Sequence, residues 1–171
     1  SAVHQERNLI PRFSVAENIV LERLPARGGL VDYAEVKAAA RRFMAPLGLD
    51  IDPDTPVRTL SVARMQLVEI AKALSLDARL LVLDEPTASI TPHETRTLFK
   101  LLRDLRDKGV AILFVSHKLD EVFELCDSVT VLRDGRNACA SRPMEGMTRR
   151  DVVRLMIGRD EQPVRRTERT A

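Results

Sequence analysis

The sequence predicts an α/β fold in which a core of parallel strands is joined to a subdomain built of helices. Three observations carry this. Up to Leu76, apolar residues recur at helical spacing behind helix-capping residues. From Arg79 onward, short continuously apolar runs alternate with helical patterns. Apolar residues make up 44% of the 171, enough for a sizeable core, yet no apolar stretch approaches the roughly 20 residues of a membrane span.

Taken in order, "SVAENIVL" opens with Ser14 and has Glu17 three residues on, the capping box of a short helix. "DYAEVKAAARRFMAPLGL" repeats the device with Asp32 and Glu35 and predicts about fifteen helical residues before Gly48. "IDPDTPVRT" is a proline-broken loop. A third helix is expected from Ser61 to Leu76, with Leu67, Ile70, Ala71 and Leu74 on one stripe. "RLLVLDEP" reads as a buried strand. The next helix has Thr91 as N-cap, Pro92 in its first position, Glu94 closing the box and Gly109 as its stop. "VAILFVSH" is a second buried strand, and "KLDEVFELC" is a helix with Cys126 packed on it as a small hydrophobe. "SVTVLRDGRNACA" turns through Asp134-Gly135 as a hairpin, and Thr148 caps a last helix ending at Gly158. The polar run from residue 159 reads as tail or linker.

Charge and cysteine content exclude several function classes. With 27 basic and 25 acidic residues, no global field draws the chain to nucleic acid or acidic lipid. Two cysteines, Cys126 and Cys139, make neither a disulfide framework nor a metal cluster, and fit a reducing cytoplasm. "SAVHQERNLIP" reads as the interior of a domain.

A strand–helix–strand unit over 79–116 makes its two strands parallel, so both end on one edge of the sheet. Asp84 and Glu85 then share a rim with Ser116 and His117, the edge where open α/β sheets bind ligands. Two adjacent carboxylates suit Mg²⁺, a hard cation that prefers oxygen. One of them could act as general base on a water, with the imidazole as proton or hydrogen-bond partner. The plain structural readings are a turn or helix cap for Asp84 and a structural role for His117.

These residues also carry a resemblance. "LLVLDEPTAS" resembles the Walker B segment of the ATP-binding cassette (ABC) ATPases, and "LSVARMQLVEIAKAL" resembles their signature helix. "FVSHKLDEVFELCDSVTVLRDGR" is similar to their switch-histidine region, and "HQERNLIPRFSVAENIVL" to their Q-loop and the segment after it. Within the family these segments look most like ATPase subunits of bacterial monosaccharide importers of the ribose/xylose type. The resemblance implies a partial P-loop NTPase core plus a helical subdomain: Q-loop and helical subdomain at about 4–76, Walker B and switch-histidine core at about 77–158, and tail at 159–171. It implies ATP and Mg²⁺ as cofactors, with Asp84 holding Mg²⁺ through water and Gln5 touching the metal or its water shell. Glu85 would orient or deprotonate the attacking water and His117 would contact the γ-phosphate. Ser61 and Ala63, at the start of the signature helix, would press on the nucleotide held by a second nucleotide-binding domain in a head-to-tail pair. Transmembrane permease subunits are the other implied partners. The implied location is peripheral, on the cytoplasmic face of the inner membrane.

Several residues depart from the family pattern. Ala63 stands where the family has glycine, Arg64 where it commonly has glutamine, and Thr91 where an aspartate is frequent. None of the seven glycines precedes a lysine, so there is no G-x-x-x-x-G-K-[ST] phosphate loop, and the segment by itself is expected not to hydrolyse ATP. The alternatives are a soluble non-transport ABC ATPase and a catalytically silent, regulatory cassette. The first would call for coiled-coil arms or a basic linker. Ala63 leans toward the second, while Glu85 and His117 stand against it.

Overall fold

The strand ending in Asp84 is the centre of a three-stranded parallel sheet. In the computed structural model, which describes residues 2–3 and 9–158, β4 (Leu80–Asp84) pairs with β1 (Ala2–Val3) on one side and β5 (Ala111–Val115) on the other. Register sets Leu81 beside Ile112, Leu83 beside Phe114 and Asp84 beside Val115. Because side chains alternate, the first four share one face of the sheet. Helix α4 (Pro92–Asp107) supplies the matching apolar stripe, with Leu98, Phe99, Leu101, Leu102 and Leu105 buried. Phe99 meets Phe114 edge-on, ring centroids 5.9 Å apart. Each such fully buried side chain contributes roughly 1.5–3 kcal/mol.

The capping residues expected for α4 are all in place. Thr91 accepts from the Glu94 N–H while the Glu94 carboxylate accepts from the Thr91 N–H, and Gly109 takes a left-handed φ of +88°. The two strands depart from expectation: on one face Leu81 and Leu83 are buried and Ile112 and Phe114 half-buried, while the other is largely open. Leu80, Leu113 and Val115, on the other face, are 47%, 53% and 45% exposed. An unbroken apolar run records that both faces suit packing, not that both are packed.

The chain divides into two compact units, Ser1–His117 and Lys118–Ala171. Beside its sheet, the first contains α1 (Val15–Val20), α2 (Tyr33–Met44) and α3 (Val62–Ser75), packed on one another through Val15, Ile19, Val36, Ala40, Val68 and Ala71. Ser14 and Glu17 form the predicted capping box. Asp32 caps α2, but Glu35 does not answer it; Glu35 pairs with Arg42 along the helix. The α-helix stops at Met44, giving twelve residues. Pro46 and left-handed Gly48 make the chain finish as a 3-10 turn, Ala45–Leu47. In α3 the buried residues are Val68, Ile70, Ala71, Ala73 and Ser75; Leu67 and Leu74 are only half-buried. The helix packs on α1, α2 and β1 together, so its buried surface is wider than one stripe and is turned from the one expected. A small hairpin, β2 (Ala26–Arg27) with β3 (Leu30–Val31), turns through Gly28 and Gly29; strands of two residues leave no periodic signal.

The second unit holds α5 (Leu119–Leu125), the antiparallel pair β6 (Ser128–Arg133) and β7 (Arg136–Pro143), and α6 (Arg149–Ile157). Asp134 and Gly135, both at positive φ, make the expected hairpin turn. Cys126 lies just past α5 in extended backbone and not on the helix. Its thiol is half-buried, and burial, with the Asp127 charge second, raises its pKa. The expected tail lies outside the described residues.

Candidate functional site

The rim beyond β4 is shaped by its backbone. The Glu85 N–H donates to the Val115 carbonyl at 2.9 Å, carrying the β4–β5 ladder one residue past the strand. The chain then turns inward: Pro86 and Thr87 are buried, and the Ala88 N–H donates to the Glu85 carbonyl at 3.1 Å. Glu85 itself sits at φ +43°, a left-handed conformation that costs a side-chain-bearing residue roughly 1–3 kcal/mol.

His117, two residues past β5, meets Glu85 across this rim. Its Nδ1 is 2.8 Å from the Glu85 carboxylate Oε1, although the two are 32 positions apart in sequence. The two side chains are 66% and 37% exposed respectively, so a ligand can reach both. An ionised carboxylate offers only acceptors and an imidazole offers a donor or an acceptor by tautomer, so the pair can orient a water and hold or move its proton. Asp84 is half-buried beside Val115 at the strand's end. Among the described residues no group of three or more His, Cys, Asp or Glu could cage a metal. The Asp84 carboxylate suits Mg²⁺, which binds through one or two carboxylates with phosphate oxygens and water completing its shell.

The other predicted residues stand elsewhere. Ser61 is the N-cap of α3, accepting from the Arg64 N–H at 3.4 Å, with Ala63 half-buried in the first turn and Arg64 exposed. They belong to a helix N-terminus, where free N–H groups favour an anion, and not to the strand rim. Gln5 lies outside the described residues. What sequence reasoning missed is the support under Glu85: the Val115 carbonyl and the buried Pro86-Thr87 step. The signal available was a proline directly after the carboxylate pair.

The ABC transporter family profile matches residues 1–88. Over 157 residues the chain is 54% identical to a putative ribose/galactose/methyl galactoside import ATP-binding protein of Agrobacterium fabrum, which spans 92% of this chain and 31% of that protein. It is 49% identical over 161 residues to a ribose import ATP-binding protein of Streptomyces avermitilis, covering 94% of this chain and 32% of the relative. An arabinose import ATP-binding protein of Vibrio parahaemolyticus is 46% identical over 158 residues, 92% of this chain and 31% of its own. The chain thus spans under a third of the length of these relatives. Among solved structures, an ATP-binding cassette of an ABC transporter in its ADP conformation aligns with TM-score 0.70 at 26% identity, over 87% of this chain and 64% of that one. A nucleotide-free cassette aligns with TM-score 0.71 at 24% identity, over 84% and 61%, a likeness of fold.

Proposed function

The chain belongs to the ABC transporter family, and from that footing we propose that it supplies the Walker B, switch-histidine and signature elements of a cassette that hydrolyses ATP to drive sugar import. The observation that carries this is the Glu85–His117 contact at 2.8 Å on the rim of parallel strands. Relatives whose names specify ribose, galactose and arabinose import support the sugar. These 171 residues contain no P-loop, so turnover requires a lobe that carries one. The open sheet face of Leu80, Leu113 and Val115 supports the same reading, being an apolar surface that such a lobe would cover.

In the completed cassette Asp84 would hold Mg²⁺ through its water shell, with Gln5 as the other candidate. ATP with its metal supplies the phosphoryl group and the neutralising charge. Glu85 would orient the attacking water and accept its proton, and His117 beside it would contact the γ-phosphate. Ser61 and Ala63 present the α3 N-terminus to a nucleotide on a second nucleotide-binding domain. Catalysis of this kind is mainly positioning and electrostatics, which suits groups fixed at strand and helix ends. No helix among the described residues is long and apolar enough to cross a membrane. Attachment to the cytoplasmic face would run through permease subunits, a reading that the import function in the relatives' names supports.

Glu85→Gln in the completed cassette tests the reading. The variant should bind ATP and dimerise while turnover falls about 10²–10⁴-fold, the usual range for losing a general base. Turnover equal to the parent's would defeat the assignment of Glu85.

A further inference from the structure

We propose that Pro86 is a positioning residue for the Glu85 carboxylate, acting by denying the Glu85 backbone its right-handed conformation. The inference rests on the catalytic reading of Glu85. The residue before a proline is disfavoured in the right-handed α region because the ring collides with its N–H and Cβ. By itself that restriction favours the extended region; the left-handed one is reached here with the help of the hydrogen bonds on either side. The extended one would continue β4 outward. It is opposed by the turn in which the Ala88 N–H reaches the Glu85 carbonyl at 3.1 Å. The Glu85 N–H is pinned at the same time to the Val115 carbonyl at 2.9 Å. Together these leave the observed φ of +43°. Pro86 is itself buried and Thr87 is 2% exposed, so the anchor on the far side of the turn is packed into the protein.

The carboxylate's direction follows from that backbone state. A left-handed residue projects its side chain differently from a right-handed or extended one, and here the projection brings Oε1 to 2.8 Å from His117 Nδ1. An alanine at position 86 would readmit the right-handed state, which is the lower in energy for an L-residue. The carboxylate would then be divided between the aim on His117 and one away from it.

The test is kinetic and uses the completed cassette. In Pro86→Ala, kcat should fall about 10–100-fold, as for a misplaced catalytic group, while KM for ATP stays within about twofold. In a Glu85→Gln background the same change should alter kcat by less than about twofold, because the group being aimed is already gone. A role in packing alone would lower activity by a similar factor in both backgrounds, and that result overturns the proposal, as does a parental kcat in Pro86→Ala. If the alanine variant fails to fold, Pro86→Val keeps apolar bulk in the buried position and also lifts the pre-proline restriction. A folded valine variant with the same kcat loss supports the proposal; failure of both to fold shows Pro86 to be a packing residue and refutes it. Loss of activity in the parent, or full activity in Glu85→Gln, would instead count against the catalytic reading on which the inference rests.

Discussion

Replacing Asn18 by leucine, of similar size, should release the segment Leu9–Ser14 from α1. Asn18 is fully buried, and its carboxamide is engaged at both ends. Oδ1 accepts from the Ile10 N–H at 2.7 Å, and Nδ2 donates to the carbonyls of Ile10, Ser14 and Phe13 at 3.1, 2.9 and 3.4 Å. The three carbonyls have second donors, from Phe13 N–H, Asn18 N–H and Val57 N–H respectively. The Ile10 N–H has no second acceptor among the described residues. One orphaned N–H costs roughly 1–3 kcal/mol, and three weakened carbonyl contacts add to it. The apolar leucine regains part by avoiding burial of an amide. The net loss should be about 2 kcal/mol, which for a chain of this length lowers Tm by about 4–8 °C. Native-state amide exchange is the direct assay: Ile10 should lose protection by about 10–30-fold, while the Leu102 amide in α4 changes much less. Unchanged protection at Ile10, with a stability loss under about 0.5 kcal/mol, would refute the accounting.

Two further outcomes concern the helix ends. Gly158→Ala meets both a left-handed φ of +74° and the Arg133 guanidinium, whose Nη1 stands where the new Cβ would collide with it. That guanidinium donates to the Leu155 carbonyl, so the last turn of α6 should fray at a cost of about 1–2 kcal/mol, visible as lost helical ellipticity and Leu155 protection. Acid should loosen the starts of α4 and α6. The Glu94 carboxyl is held below its usual range, chiefly by the Thr91 backbone N–H and then by its hydroxyl. Asp151 is held low by the Thr148 hydroxyl and then by its N–H. For carboxyls so depressed, the stabilisation is fully present above the unfolded-state value and vanishes as pH falls through the folded one. Titration by NMR should show both first turns intact at neutral pH and opening as pH falls through the lowered folded-state values of these carboxyls; first turns that stay closed after these carboxyls are protonated would contradict the capping assignment.

The local grammar was legible in the sequence. Ser14, Thr91 and Thr148 each start a helix where their hydroxyls satisfy free N–H groups, and Asp134-Gly135 turns the hairpin. These choices depend on neighbours within four residues, and so does the end of a strand at Asp84-Glu85-Pro86. The parallel pairing of β4 with β5, and hence the shared rim, was also legible, because a strand–helix–strand chain has few ways to close. Tertiary packing decided the rest. It chose which face of β5 is covered, turned the buried surface of α3 away from Leu67 and Leu74, and left Glu35 to Arg42. It also set Glu85 at φ +43° with its carboxylate on His117, a geometry requiring the Val115 carbonyl from thirty residues away. A residue sequence records what each segment prefers alone; where two segments compete for one conformation, only their contact settles it.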